Sequence, residues 1–238
     1  MTGLRWYSAA GTHCGNVRER NEDSSLVQPQ FGLWAVADGM GGHVRGDVAS
    51  QTVIEAISQP QEYTTLDQRI DLLAEALDGV NKQLINDVGD ADEICGTTVA
   101  IFAMVDSEAA CLWAGDSRIY LYRGGEFEQV TTDHVEYEES EDGEDLESDG
   151  ETAEFLARAV GKDDELVLDL CVVQPQDGDR FLLCSDGLYG VLSDAQIKQT
   201  LDTTDSPGQA TSRLVNEALD TECHDNVTVV VVDFEAWN

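Results

Sequence analysis

Apolar residues follow two kinds of pattern along this chain. Runs rich in β-branched and aromatic residues predict strands, among them FGLWAVA (31–37), TTVAIFAMV (97–105), RFLLCS (180–185) and NVTVVVVDF (226–234). Apolar residues spaced three to four apart predict helices over 46–59, 66–88, 193–201 and 206–220. Because strands and helices come in groups rather than alternating, the order favours an α+β fold of antiparallel sheets flanked by helices.

The length of the chain predicts one domain spanning 1–238. With 238 residues, of which 42% are hydrophobic, it can bury one substantial core. The acidic insert at about 134–155 stands apart, because residues 136–154 hold eleven acids in nineteen positions and almost no apolar side chains. We expect this insert to be solvated or mobile. A defined cation site there is the weaker alternative, since the run lacks the spacing of a calcium loop.

The formal net charge of −35, from 48 acidic and 13 basic residues, narrows the choice of partners. Nucleic acids and anionic membranes both need basic surface, so neither is an expected partner. A chain this acidic repels itself in dilute buffer, and salt near 1 M screens that repulsion. We therefore expect a salt-rich cytoplasm, as in halophiles; the alternative is an acidic protein of an ordinary cell.

The cysteines and the N-terminal sequence indicate a cytoplasmic protein. The six cysteines form no C-x-x-C pair and mostly lie in apolar runs, which is typical of reduced core thiols. The first residues, MTGLRWYSAAGTHC, lack the apolar segment of a signal peptide, and no stretch approaches 18 continuous apolar residues. Secretion and membrane spanning are therefore not expected.

Carboxylates at the ends of apolar strands are the candidate functional groups. An isolated carboxylate is costly to bury unless a cation compensates it. Each such acid alone is more often a turn residue or a helix cap, but two of them share the context of an apolar run followed by Asp-Gly. The candidates are Glu22, Asp23, Asp38, Asp133, Asp186 and Asp225.

The chemistry of these candidates predicts a hard metal ion and a phosphate ligand. Ligands that are all oxygen suit Mg²⁺ or Mn²⁺ rather than zinc. Arg18 precedes Asp23 by five residues, and its planar guanidinium could clamp a phosphate. A salt bridge from Arg18 to one of the many acids is the equally weighted alternative.

Eight motifs give the chain a resemblance to a known family. They are RERNEDS, ADGMGGH, GTT at 96–98, WAGDSRIYLYRGG, VTTDH, ARAVG, FLLCSDGL and DNVTVVVV. Their order and spacing, from about Gly11 to Val232, resemble the metal-dependent protein phosphatases of type 2C, especially the bacterial members. The resemblance implies a four-layer αββα sandwich, with two antiparallel sheets covered outside by helices and a metal centre between the sheets at one end.

The resemblance also implies a role for each matching residue. Asp38 looks like the bridging ligand of two metals, with the carbonyl of Gly39 on the second. The first metal takes Asp186 and Asp225, while Glu22 and Asp23 hold metal-bound waters. Asp133 looks like a ligand of a third, weaker metal, which it would share with Asp186. Arg18 matches the phosphate-binding arginine, with Arg20 as the runner-up. Asn226 matches a residue that supports the last metal ligand, and Thr97 and Thr98 match structural residues.

The implied activity is hydrolysis of phosphoserine and phosphothreonine in proteins by a metal-activated water, with two Mn²⁺ or Mg²⁺ ions. Substrates would be targets of serine/threonine kinases, and the enzyme is expected to be a monomer.

The chain departs from the family pattern at two places. Met40 occupies the position of a histidine that is proposed as a general acid in animal members, and His43 lies three residues further on. The acidic insert occupies the position of the family's usual flap. The alternatives are a catalytically weak phosphoprotein-binding or metal-sensing module, and a small-molecule phosphatase.

Overall fold

A computed structural model describes residues 3–40, 45–88, 95–137 and 154–237. The helices in these ranges are α1 (Gly46–Ile57), α2 (Leu66–Val88), α3 (Asp186–Tyr189), α4 (Asp194–Thr203) and α5 (Pro207–Leu219). The strands are β1 (Gly3–His13), β2 (Asp23–Gln28), β3 (Leu33–Met40), β4 (Gly96–Thr97), β5 (Val99–Val105), β6 (Glu108–Ala114), β7 (Arg118–Arg123), β8 (Glu126–Gln129), β9 (Val135–Tyr137), β10 (Glu154–Leu156), β11 (Asp169–Val173), β12 (Arg180–Cys184) and β13 (Val227–Trp237).

Two antiparallel sheets form the centre of the molecule. One has the strand order β1-β13-β12-β7-β8, and the other has the order β11-β6-β5-β3-β2, with β4 paired to the end of β3. Strands β9 and β10 form a separate antiparallel pair. The predicted α+β fold with two antiparallel sheets is confirmed.

Three apolar layers hold the sheets and helices together. Along β3, Leu33, Ala35 and Ala37 pack beneath α1 and α2, while Trp34 and Val36 point into the layer between the sheets. Strand β13 alternates in the same way between that middle layer and the layer beneath α3, α4 and α5. Both faces of these strands are therefore buried, which explains why their sequences are continuously apolar. The resulting layers are helix, sheet, sheet, helix.

The sequence patterns locate most elements closely. Helix α2 has the predicted bounds, and α5 begins after Ser206, whose hydroxyl accepts a hydrogen bond from the Gln209 amide at 3.3 Å. The short helix α3 and the pair β9–β10 were not predicted. Strands β9 and β10 lie at the two ends of the insert expected at about 134–155, so these ends are ordered. Residues 138–153 lie outside the described ranges, so the expected mobility of the rest of the insert and the single domain of 1–238 stay predictions. Among the described residues, no helix is long and apolar enough to cross a bilayer.

Candidate metal centre

An open, acidic cavity of about 490 Å³ lies at one end of the two sheets. Strands from both sheets begin or end at its walls, so side chains distant in sequence meet there. Its lining consists of Arg18, Glu22, Asp38, Gly39, Met40, Thr98, Asp116, Val135, Leu156, Asp186 and Asp225. Five carboxylates thus line one cavity, and four of them are among the residues predicted from the sequence.

Asp38 and Asp23 face each other across the pairing of β3 with β2. Desolvation raises the pKa of Asp38 well above its usual range, and the neighbouring charge of Asp23 raises it further. Desolvation likewise raises the pKa of Asp23 to about 6. Two carboxylates this close cannot both ionise cheaply without a compensating cation.

The opposite wall carries Asp186, at the end of β12, and Asp116, in the turn between β6 and β7. Desolvation raises the pKa of each to about 6; the next largest cause is the charge of Asp225 for Asp186, and that of Asp186 for Asp116. The same cavity therefore raises the pKa of carboxyls on both of its walls.

Two carboxylate oxygens at this site are buried without a hydrogen-bond partner, namely Oδ1 of Asp23 and Oδ1 of Asp186. The other oxygen of Asp23 accepts a hydrogen bond from the Ser185 hydroxyl at 2.7 Å. Orphaned buried carboxylate oxygens, raised pKa values and an all-oxygen donor set fit Mg²⁺ or Mn²⁺. Within the described residues no three acidic, histidine or cysteine side chains surround a single point by themselves. Ions here would keep several waters, as these metals commonly do.

Close backbone packing explains the glycine after Asp38. A Cβ on Gly39 would lie 2.1 Å from the carbonyl oxygen of Gly46 and 2.7 Å from that of Glu22, so no larger residue fits. Next to it, Thr98 accepts a hydrogen bond from the Asp38 amide at 3.0 Å, and Thr97 donates one to the Asp38 carbonyl at 2.8 Å. The two threonines therefore fix the backbone of Asp38, in agreement with the structural role predicted for them.

Asn226 joins the beginning of β13 to the loop between β1 and β2. Its side-chain oxygen accepts from the Glu22 amide at 2.7 Å, and its nitrogen donates to the carbonyls of Cys14 and Arg20 at 3.1 and 2.9 Å. These three bonds set the position of the loop that carries Arg18 and Glu22. The supporting role of Asn226 beside the metal ligands stays a prediction.

Arg18, rather than Arg20, points into the cavity. Its guanidinium donates to Asp225 at 2.6 Å, and both side chains are about half exposed. Arg20 is exposed, is absent from the lining, and contributes its backbone carbonyl to Asn226. The salt bridge expected as one alternative for Arg18 is therefore present, while its role as a phosphate ligand stays a prediction.

Asp133 is not brought into the cavity. Its carboxylate accepts from the Arg118 guanidinium at 2.6 Å and from the side-chain Nε2 of Gln129 at 2.7 Å, so both oxygens are already engaged. Asp116 lines the cavity instead, and Tyr189 donates to its backbone carbonyl at 3.0 Å. Asp116 was not among the acids predicted from the sequence, although it follows the apolar run of β6 within WAGDSR.

Of Met40 and His43, the two residues at or near the position of the family's proposed general acid, only Met40 lies within the described residues. Met40 lines the cavity, so a thioether occupies the position after Asp-Gly. His43 lies outside the described residues. Nothing described therefore supplies an imidazole to the cavity.

Comparison with known proteins assigns the chain to a family. A family model described as protein phosphatase 2C matches residues 10–222. The chain belongs to the protein phosphatase 2C family. The predictions of this family, of its fold and of a serine/threonine phosphatase are thereby confirmed.

Relatives of this phosphatase have names and structures consistent with the assignment. It is 30% identical over 235 residues to the serine/threonine phosphatase stp of Listeria innocua, covering 93% of each chain. Against the serine/threonine protein phosphatase PstP of Mycobacterium tuberculosis it is 34% identical over 232 residues, covering 94% of this chain and 44% of that protein.

Among solved structures, PppA of Pseudomonas aeruginosa is 35% identical, with a TM-score of 0.87 and full coverage of both chains. The catalytic domain of a PstP, described as a complex with two manganese ions, is 32% identical with a TM-score of 0.80, covering 98% of this chain and 99% of that one. The backbone likeness therefore extends over the whole phosphatase domain.

Proposed function

We propose that this phosphatase hydrolyses phosphoserine and phosphothreonine in proteins, with two Mn²⁺ or Mg²⁺ ions held in the acidic cavity. The observation that carries the proposal is the meeting of five carboxylates and Arg18 in one open cavity. The two manganese ions named for the PstP catalytic domain support the choice of metal. A cavity open to solvent suits a phosphorylated side chain on a large substrate.

The family resemblance implies which residues would hold the ions, and the cavity lining supports most of these roles. Asp38, on β3, would serve both ions, with the carbonyl of Gly39 beside it. Asp186 and Asp225 would serve the first ion. Glu22 and Asp23 would act through bound waters, and Asp116 rather than Asp133 would share a third, weaker ion with Asp186.

The protein contributes binding and orientation to the reaction. When bound, two such ions lower the pKa of a bound water and neutralise charge on the phosphoryl oxygens. Arg18 would bind those oxygens through its two-pronged guanidinium. A cysteine nucleophile is disfavoured, because Cys184, two residues before Asp186, is buried and its pKa is raised by desolvation.

The decisive experiment compares turnover with metal binding. We expect Mn²⁺-dependent hydrolysis of a phosphothreonine peptide, abolished by EDTA and lowered at least ~10²-fold in Asp38→Asn, on the scale of losing a key electrostatic group. Asp71→Asn, on the exposed face of α2, is the matched control. Near wild-type turnover in Asp38→Asn at saturating Mn²⁺ would refute the assigned centre.

The same assay separates the alternatives. Binding of the phosphopeptide without turnover would favour a phosphoprotein-binding or metal-sensing module. Efficient hydrolysis of small phosphate esters with none of the peptide would favour a small-molecule phosphatase. Four of the six predicted carboxylates line the cavity and Asp23 lies buried beside Asp38, which supports the enzyme, since a binding module has no need of all of them.

We also infer that the substrates are products of serine/threonine kinases in a signalling system of a salt-rich cytoplasm, where the enzyme acts as a monomer. The six free thiols support a reducing compartment. The net charge of −35 supports high ionic strength. Phosphoproteomics of a deletion strain would identify the substrates, and sedimentation in 1 M KCl would measure the oligomeric state.

A further inference from the structure

Arg69 lies buried in the first turn of α2, far from the acidic cavity along β3. Only 2% of its surface is exposed. Its guanidinium donates to the carbonyl of Met104 at the end of β5 and lies 4.6 Å above the ring of Tyr63. These contacts place a cation next to the start of β3, whereas the metal cavity lies at the other end of that strand.

Within the described part of the chain, no carboxylate forms an ion pair with Arg69. Seven other basic residues do have acidic partners there: Arg18, Lys82, Arg118, Arg123, Arg158, Arg180 and Arg213. Arg180 is the closest comparison, because it is nearly as buried and pairs with Asp233 at 2.7 Å. A buried guanidinium without a counter-ion is costly, and desolvation lowers the pKa of Arg69 accordingly. Other described basic residues without an acidic partner, such as Arg45 and Lys162, are not buried, so Arg69 is set apart by its burial, which calls for another anion.

A small cavity of about 50 Å³ adjoins the guanidinium. Gln28, Ser58, Gln61 and Tyr63 contribute polar groups to its wall, and apolar side chains from β3, α1 and α2 complete the lining. Its volume suits a single small ion or one to two waters, and not a larger organic ligand. The hydroxyls of Ser58 and Tyr63 already donate to backbone carbonyls, so the side-chain amides of Gln28 and Gln61 are the groups that could donate beside the guanidinium.

We propose that this cavity binds one monoatomic anion, chloride in a chloride-containing medium, with Arg69 as its counter-ion. The anion neutralises the buried guanidinium and joins the connection between α1 and α2 to the start of β3. Its effect is on the stability of this corner of the fold. It is independent of the metal centre and of catalysis.

Anomalous diffraction tests the site directly. Crystals of the wild-type protein soaked in sodium bromide are expected to show a bromide peak in the cavity, in contact with the Arg69 guanidinium. No peak there, with water in its place, would overturn the proposal.

A second experiment measures the energetic effect in solution. In EDTA, thermal midpoints are compared in potassium chloride and potassium gluconate at equal ionic strength, so that general screening is the same. Wild-type protein is expected to melt about 3 °C higher in chloride at ten times the dissociation constant. The difference should vanish in Arg69→Met and persist in Arg213→Met, which removes an exposed arginine. Equal thermal midpoints of the wild-type protein in the two salts would overturn the proposal, and so would an unchanged chloride effect in Arg69→Met. If Arg69→Met does not fold, the bromide experiment decides.

Discussion

The guanidinium of Arg18 lies 2.6 Å from a carboxylate oxygen of Asp225, so the proposed phosphate ligand and a proposed metal ligand are in direct contact. Any ion bound by Asp225 therefore shares that carboxylate with Arg18. From the sequence alone, loss of Arg18 is expected to leave metal affinity unchanged. The contact between Arg18 and Asp225 changes that expectation, because loss of Arg18 frees a carboxylate for the metal ion.

Arg18→Ala should weaken the binding of substrate and free phosphate while strengthening the binding of Mn²⁺. The first effect follows from the loss of a charge-assisted bond to phosphate, and the second from the removal of a cation that competes for Asp225. KM and phosphate inhibition measure the first, and calorimetric Mn²⁺ titration measures the second. Arg20→Ala, which removes an exposed side chain outside the cavity, should change neither. Weaker Mn²⁺ binding in Arg18→Ala would contradict the argument.

Asn226→Ala should lower both the stability and the activity of the enzyme. It removes three hydrogen bonds to the loop that carries Arg18 and Glu22, and leaves their backbone partners unsatisfied. The expected loss in the free energy of unfolding is about 2 kcal/mol, measured by urea denaturation. Asn216→Ala, at an exposed position on α5, is the control. A change in activity without any loss of stability would show that Asn226 does not act by holding the loop.

Asp116→Asn and Asp133→Asn form a matched pair that separates two candidates for the third ion. Asp116→Asn removes a charge from the cavity, so we expect activity to require a higher Mn²⁺ concentration, with little change in the thermal midpoint in Mn²⁺. Asp133→Asn breaks the pair with Arg118, so it should lower the midpoint while leaving the Mn²⁺ dependence of activity nearly unchanged. The reverse pattern would restore Asp133 as the ligand.

The metal-free protein should become less stable as the pH rises. The folded chain holds protons on Asp23, Asp116 and Asp186 up to about pH 6, whereas carboxyls of the unfolded chain lose theirs near pH ~4. The folded state therefore binds more protons between these values, and the free energy of unfolding falls as the pH rises through that window.

Thermal scans in EDTA between roughly pH 4.5 and pH 7 measure this fall, taking the window from the ~2-unit separation between folded and unfolded carboxyls. Saturating Mn²⁺ should remove it, because a bound cation favours the ionised carboxylates. Asp186→Asn should reduce the fall, whereas Asp71→Asn should not. A midpoint in EDTA that rises steadily over this range would show that the buried carboxyls do not control the pH dependence.

Salt should raise both the thermal midpoint and the rate of hydrolysis. Between 0.1 M and 1 M the Debye length falls from ~10 Å to ~3 Å, which screens repulsion within the acidic surface and between that surface and an anionic substrate. The rise in midpoint should occur in EDTA, and in potassium gluconate as well as in chloride, because its cause is the whole surface. A thermal midpoint that does not change with the concentration of potassium gluconate would refute the inference of a halophilic protein. The family assignment would not be affected.

Local sequence was sufficient to predict which acids lie at the end of a buried strand and reach the cavity. Asp38 and Asp186 both end an apolar run before glycine, so burial of the strand fixes where the carboxylate must lie. Asp133 also follows strand-like sequence, yet its side chain turns to Arg118. That choice depends on how β7 pairs with β8, which brings Arg118 beside the residues after β8. Pairing of this kind cannot be read from either segment alone.

The pair β9–β10 was not predicted, because it too depends on pairing between two segments that are separate in the sequence. Both strands have three residues and border a run of acids, so local composition indicated solvation. Their pairing brings Val135 and Leu156 into register at the rim of the acidic cavity. Tertiary contact outweighed local propensity at this position.

The pairing of β1 with β13 over eleven residues has a consequence for how the enzyme is made. These strands lie at opposite ends of the sequence, and the cavity takes Arg18 and Glu22 from one end and Asp225 from the other. During translation, the early segment must wait for more than 200 residues before its partner leaves the ribosome. A nascent chain therefore has no complete phosphatase site until β13 has emerged, and activity is expected to appear only after that point, in a slow step typical of folds dominated by distant contacts.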